Sequence, residues 1–385
     1  MALSTIGTNQ IASEAVTVPK VTDQVLSSRN FIINGDMQCW QRATAATAAN
    51  NSYSTVDRWA FGEGTDGAYT SERSTDTPTG TGFSIKAQVT TADTSLAAGQ
   101  YAYIWQSIEA QNLQSLLYGT ASAKTLTLSF WVKSSKTGTY SIVIRKNDST
   151  LYAFTHDYSI SSANTWEKKT ITITPTAGST SFITASAGAI ANDNGLGFEV
   201  IFALGQGSTY AIGTSNTWSS NSNTYASSNQ VNWMDSTSNN FYLSQVQLEV
   251  GDVATPFEHE NFDVTLDKCK RYYQNSFAYG TTPANDISGV RMSEMPPSDS
   301  VSYAGAIVYL DKPMRATPTC QAYNPQAAAT NSGAYVNDLV NGSVTTEYAV
   351  SSVYAKASKL RFFLSTAPTT GGNPYGCNWT ADSEL

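Results

Sequence analysis

A chain of 385 residues with two histidines offers little acid–base chemistry, so those two are considered first. His156 alternates with Phe154 and Tyr158 in a strand-like run, and His259 follows the last strand of a long β segment. Neither lies in a GxSxG or HExxH context, and metal sites need several convergent donors, so both are expected to be structural. A carboxylate pair for glycoside hydrolysis is set in space and not in sequence, and among 30 acidic residues no pair stands out. The expectation is a protein that is not an enzyme, with no catalytic residues, no metal ligands and no cofactor. Aromatic side chains offer different chemistry: flat, apolar rings stack on pyranose faces while neighbouring amides and carboxylates bond the hydroxyls. Trp105, Trp131, Trp166, Trp218 and Trp233 are the supply. Trp131 points opposite to Phe130 on its strand, and Trp218, Tyr225 and Trp233 sit in a long polar loop, Gly205–Asp235. Trp131, Trp218, Tyr225 and Trp233 are therefore the candidate glycan-binding residues. The competing reading, a place in a core or a subunit interface, is the stronger one for each of these tryptophans and stronger still for Trp40 and Trp59, beside Arg42 and Arg58.

The elements that must position these rings are strands. Asn239–Glu258 alternates, with Tyr242, Ser244, Val246 and Leu248 on one face and Leu243, Gln245, Gln247 and Glu249 on the other, before Gly251-Asp252 and Pro256 end it. Leu126, Leu128, Phe130 and Val132 form one inward row. Further strands are expected at Phe31–Ile33, Val56–Phe61, Phe83–Val89, Tyr101–Ile108, Tyr140–Arg145, Tyr152–Tyr158, Glu167–Ile173 and Phe198–Leu204, with one or two helical turns at Gln111–Tyr118. The fold class is all-β: an antiparallel jelly-roll sandwich over residues 30–258, a short helical connector over 259–275, and a smaller β-sandwich head over 276–385. On the connector, Val264, Cys269 and Tyr272 or Tyr273 are expected to share a face, with Asp263 and Lys270/Arg271 at the ends the helix dipole favours. In the head, strands are expected at Tyr303–Leu310, Thr319–Tyr323, Val350–Tyr354, Leu360–Leu364 and Asn378–Ala381. Its small size suggests a core shared between subunits.

Bulk properties narrow the partners. Charged residues make up 14% of the chain and the net charge is −8, which leaves no basic face for nucleic acid. No apolar run reaches the ~18 residues of a membrane span, so no membrane insertion is expected. The opening MALSTIGTNQ has neither a basic start nor an apolar segment, so no signal peptide is expected. Four scattered cysteines, Cys39, Cys269, Cys320 and Cys377, are expected to be unpaired and mostly buried. Together these describe a protein made in a cytoplasm and surfaced for the outside. Residues 1–29 hold small and β-branched residues that cannot form a core alone, with Ile6, Ile11, Val16 and Val18 among them. They form either an arm packing against sister chains or a disordered tail.

Several blocks, in order, carry a resemblance: NFIINGDMQCWQR (Asn30–Arg42), Asp57-Arg58-Trp59, SFWVKS (Ser129–Ser134), NTWEKKTITI (Asn164–Ile173), Phe241–Glu258 and CKRYYQ (Cys269–Gln274). With GTNQIA and AVTVPK in the arm, they make the chain resemble bacteriophage tail-fibre and related virion appendage proteins. The first and last strands of the large domain also look like those of jelly-roll carbohydrate-binding modules. The resemblance implies a virion location, a homotrimer, attachment to other tail or neck proteins through Ile6, Ile11, Val16 and Val18, and a host surface glycan as ligand. It also implies two alternatives, a purely structural neck or head fibre and, less favoured, a capsule or lipopolysaccharide depolymerase. The modules commonly hold calcium with acidic residues where this chain has Gln38 and Ser244 or Gln245, so calcium is not expected here, although Asp36 remains as a donor.

Overall fold

The computed structural model describes residues 29–49, 52–80, 82–285, 291–293, 307–323, 335–338, 347–364 and 375–385. The arm residues Ile6, Ile11, Val16 and Val18 lie outside the described residues. In chain order the large domain contains β1 (Ala45–Thr47), β2 (Ala60–Glu63), β3 (Ala68–Ser74), β4 (Ser84–Thr91), β5 (Tyr101–Glu109) and β6 (Leu126–Ser134). It continues with β7 (Gly138–Lys146), β8 (Tyr152–Ile160), β9 (Glu167–Ile173), β10 (Leu196–Gln206), β11 (Thr217–Ser219) and β12 (Asn240–Val250). One sheet has the order β1-β3-β4-β12-β6-β9 and the other β11-β8-β7-β10-β5-β2, paired antiparallel throughout. The chain crosses repeatedly from one sheet to the other, which is the jelly-roll sandwich expected.

Alternation explains the core. Leu126, Leu128, Phe130 and Val132 are fully buried between the sheets, while Trp131 on the opposite face is half-buried. On β12 the expected alternation breaks. Phe241 and Leu243 point inward, but so do Val246 and Leu248, which have the opposite parity. The cause is a bulge: pairing with β6 skips from Ser244 to Gln247, and Gln245 has φ +49°. One extra residue exchanges the faces, so apolar residues of both parities reach one core. The segment 31–37, expected to contain a strand, is a turn that docks beside this bulge, where Asn30 Nδ2 donates to Val246 O (3.1 Å) and Leu248 N to Asn30 Oδ1 (3.0 Å). Gln111–Tyr118 is a 3-10 helix over Ala110–Leu116. Strand β3 carries few apolar residues, but its Tyr69 and Ser71 are fully buried.

After the sandwich comes α1 (Phe262–Lys270). Its buried face is Thr265 and Cys269, continued by Tyr272, whereas Val264 is 46% exposed, so the expected face is corrected by about one position. The helix is also shorter than expected, because Tyr273–Asn275 forms β13. It is followed by β14 (Arg291–Ser293), β15 (Ile307–Tyr309), β16 (Thr319–Tyr323), β17 (Tyr335–Asp338), β18 (Glu347–Lys356), β19 (Lys359–Leu364) and β20 (Tyr375–Asp382). These form one antiparallel sheet, β13-β20-β17-β18-β19-β15, with β14 and β16 also on β20. Leu310, Met314, Ala322, Leu360, Phe362, Trp379 and Ala381 make its small core.

The two domains meet at a buried ionic seam built from the most distinctive motifs. Arg42 bonds Asp57 (3.1 Å), Asp382 (3.0 Å) and Glu384 (3.1 Å). Arg58, 1% exposed, pairs with Glu384, and its guanidinium lies 3.4 Å from the centre of the Tyr272 ring. Arg271 forks onto Glu109 at 2.7 and 2.8 Å, and Tyr272 donates its hydroxyl to the same carboxylate. Burial pushes the Glu109 carboxyl up, but the bonds from Arg271 and Tyr272 and the Arg271 charge outweigh it, leaving it below the usual range. Cys39 and Cys269 are buried free thiols in this region, and Cys320 is a free, half-buried one.

Candidate glycan-binding face

Strand β5 reads YAYIWQSIE, and its two rows do different work. Ala102, Ile104 and Ile108 fill the sandwich core. Tyr101, Tyr103 and Trp105 point out from the second sheet, with ring centres 5.4 Å and 5.0 Å apart. The neighbouring edge strand lets them lie flat. Gly62 faces Tyr103 across the ladder, and a Cβ there would stand 2.7 Å from its ring; a Cβ on Gly64 would stand 2.7 Å from the Tyr101 ring. A side chain at either position would lift the ring off the sheet.

The long loop supplies the other wall. It folds back over the second sheet, pairing Thr217–Ser219 with β8 and bringing Tyr210 and Tyr225 onto the platform. Tyr103 and Tyr225 are 5.7 Å apart and 30° from parallel, and Tyr210 stands edge-on to both Tyr101 (5.9 Å) and Tyr225 (5.5 Å). Arg145 fixes Tyr225: its guanidinium lies 4.3 Å from the ring centre and donates to the hydroxyl (2.7 Å), to Glu199 (2.8 Å) and to Ser222 O (3.1 Å). Tyr101, Tyr103, Tyr210 and Tyr225 remain half-buried and present ring surface to solvent. Burial holds the phenols of Tyr101, Tyr103 and Tyr225 above their ordinary range, and the tyrosines reinforce one another. The phenols of Tyr101, Tyr103 and Tyr225 therefore stay protonated at neutral pH, and their rings are suited to stacking on a neutral, hydroxyl-rich ligand.

Of the four residues expected from sequence, only Tyr225 belongs to this platform. Trp218 is 1% exposed, packed on Phe154 with its indole N–H on Thr174 O (2.9 Å), and Trp233 is fully buried against Tyr69. Neither can meet a sugar, because the polar loop around them dips its two largest apolar side chains into the core. Trp131 lies on the outer face of the other sheet, so the expected set is split across the sandwich. On that face Lys133 lies 4.1 Å from the Tyr242 ring centre and 5.3 Å from that of Trp166, and Trp166 Nε1 donates to Asp76 (2.9 Å), so the cluster satisfies itself. Tyr101, Tyr103 and Tyr210 were missed, although aromatics at positions 101, 103 and 105 of a strand already share a face.

His156 is half-buried, edge-on to Phe154, with its pKa lowered by burial, and His259 packs edge-on to Phe257. Among the described residues no group of three or more His, Cys, Asp or Glu side chains is placed to hold a metal. At the positions where carbohydrate-binding modules commonly hold calcium, the side chains present are engaged with protein groups. Gln38 donates its amide to Asp36, burial raises the Asp36 carboxyl, Ser244 donates to Phe83 O (3.0 Å), and Gln245 forms the bulge. No described helix is long and apolar enough to cross a membrane.

No family model matches the chain, and no curated protein matches it. Among solved structures it is similar to a Bacteroides thetaiotaomicron protein described as sugar-binding, at 14% identity and TM-score 0.33, covering 58% of this chain and 100% of that one. It is also similar to the enzymatically active domain of bacteriophage CBA120 tailspike protein 4, at 14% identity and TM-score 0.27, covering 58% of this chain and 22% of that one. A third is a family 11 carbohydrate-binding module from Clostridium thermocellum, at 14% identity and TM-score 0.27, covering 56% and 99%. Likeness at this level identifies no ligand.

Proposed function

We propose that this chain is a glycan-binding component of a phage virion, a homotrimeric tail fibre that attaches by residues 1–29 and holds host surface glycan on the tyrosine platform. The observation that carries the glycan reading is the set of half-buried rings of Tyr101, Tyr103, Tyr210 and Tyr225, with Tyr103 and Tyr101 laid flat beside Gly62 and Gly64. The resemblance of the ordered sequence blocks supports the virion location. The chain acts by binding and not by catalysis, and three weak sites in one trimer reinforce one another. The protein is made in the host cytoplasm and works outside it.

A second reading, a structural neck or head fibre without a sugar site, is favoured by one observation. The residues most specific to the resemblance, Arg42, Arg58 and Cys269–Gln274, hold the interdomain seam and not the platform. The two readings separate on a glycan array and binding to candidate host cells. Glycan binding that is lost in Tyr101→Ala/Tyr103→Ala and kept in Trp131→Ala supports the adhesin. Absence of binding to every permissive host leaves the structural fibre.

A further inference from the structure

The outer row of β5 does not stop at the platform. Beyond Tyr103 it runs through Trp105 and Ser107 to Glu109, the carboxylate that Arg271 and Tyr272 grip at the domain seam. Tyr53 bridges the two regions: its ring centre is 6.2 Å from that of Trp105, its hydroxyl is 3.5 Å from Ser107 Oγ, and it forms a wall of a cleft between the domains. That cleft, about 320 Å³, has Arg42 and Tyr53 on the sandwich side and Tyr273, Gln321, Tyr323 and Asp382 among its residues on the other. Its far wall is the outer row of β16, where Thr319 and Gln321 are exposed while Ala322 turns into the core. Arg42 is held 3.8 Å over the Tyr273 ring, and the Asp382 side chain that it pairs with stays 40% exposed.

We propose that the platform and this cleft form one track, so that the ligand is an extended oligosaccharide of neutral or amino-bearing sugars and not a single terminal sugar. The inference rests on the glycan-binding reading above and adds the second domain as half of the site. The rings of Tyr101 and Tyr103 stand 5.4 Å apart, and Tyr53 continues the row on the far side of Trp105, whose ring centre is 5.0 Å from Tyr103 and 6.2 Å from Tyr53, so the row leads from the platform into the cleft. Trp105, 6% exposed, serves as a bed under Tyr53 and Tyr103 and not as a stacking surface. Within the cleft, hydroxyl and amide side chains face aromatic walls, the mixture that fixes a sugar's orientation, and domain interfaces favour such sites. The charged side chains that line the cleft, Arg42 and the part-exposed Asp382, pair with each other, so the lining offers no free cation for uronic acids or phosphorylated sugars.

The test uses the full chain and a size-graded oligosaccharide series, prepared by partial hydrolysis of the surface polysaccharide from a host that the protein binds, measured by titration calorimetry. The expected result is an affinity that rises about tenfold or more from the shortest bound fragment to the longest. Gln321→Trp, which fills the cleft from an exposed position, should return the long fragment to short-fragment affinity while leaving the short fragment unchanged. Gln321→Ala combined with Thr319→Ala should cut long-fragment affinity severalfold with no added bulk. Equal affinity for all lengths, or full long-fragment affinity in both cleft variants, overturns the track while platform binding stands. If no fragment binds, or if Tyr103→Ala binds short fragments like the wild type, the glycan-platform reading itself falls, and the track with it.

Discussion

Tyr103 is the residue on which the platform turns, because it touches Tyr101, Trp105 and Tyr225 at once. Truncating it removes ring surface and loosens its neighbours. Tyr103→Ala is therefore expected to lower glycan affinity at least tenfold, about 1.4 kcal/mol, in the same titrations, with a smaller loss in thermal stability. The sharper test is Gly62→Val. It adds nothing charged and removes no ring, yet its side chain must displace the Tyr103 ring. Binding should fall nearly as far as in Tyr103→Ala, and a variant that binds normally would show that the flat posture is not required. The Tyr103 and Tyr225 phenols are held high by burial, so binding should be level between about pH 6 and 9 unless the ligand titrates.

At the scale of elements, the bulge in β12 and the seam carry the predictions. Gln245 occupies a left-handed conformation that a β-branched residue tolerates poorly, so Gln245→Val should destabilise by roughly 1–2 kcal/mol while Gln245→Gly should not, measured by thermal denaturation. At the seam, Arg58→Ala would leave the Glu384 carboxylate, 5% exposed, with Arg42 alone, and a loss of roughly 3 kcal/mol is expected for breaking such a buried pair. Glu109 supplies the pH signature. Its carboxyl is lowered in the folded protein, so its stabilisation is complete above the ordinary glutamate pKa and disappears as pH falls through the folded value. The melting temperature of Glu109→Gln should therefore lie below wild type at neutral pH and converge with it in acid. Asp57, raised chiefly by burial, has the opposite sign, which is why the comparison is made between the two proteins and not on the wild type alone.

At the scale of the whole molecule, the seam makes the second domain a structural partner of the sandwich. A protein ending near residue 258 would lose Glu384 and Tyr272 from around Arg58 and Arg271 from Glu109. It should be less stable than the full chain, and its exposed seam should make it prone to associate. The proposed trimer predicts three chain masses by light scattering, with removal of residues 1–29 testing whether the arm or the β domains hold the copies together.

Alternation alone determined most of the sandwich, because a strand buried on one face must place apolar residues two apart. Leu126–Val132 and Glu167–Ile173 were legible for that reason, as was the all-β class from a composition poor in helix formers. Where one backbone irregularity changes parity, at Gln245, the period misleads, and β3 was illegible because Tyr69 and Ser71 sit among polar neighbours. The candidate site divides in the same way. The row Tyr101-Tyr103-Trp105 was readable as a row, since a strand puts those positions on one side. Which side faces solvent was not readable, because that depends on how the loop folds back. The same loop sends Trp218 and Trp233 into the core and leaves Tyr210 and Tyr225 outside, a choice made by space between distant strands. The seam is the clearest case: Arg42, Arg58, Glu109 and Glu384 are far apart in the chain, and only their burial together gives each charge its partner.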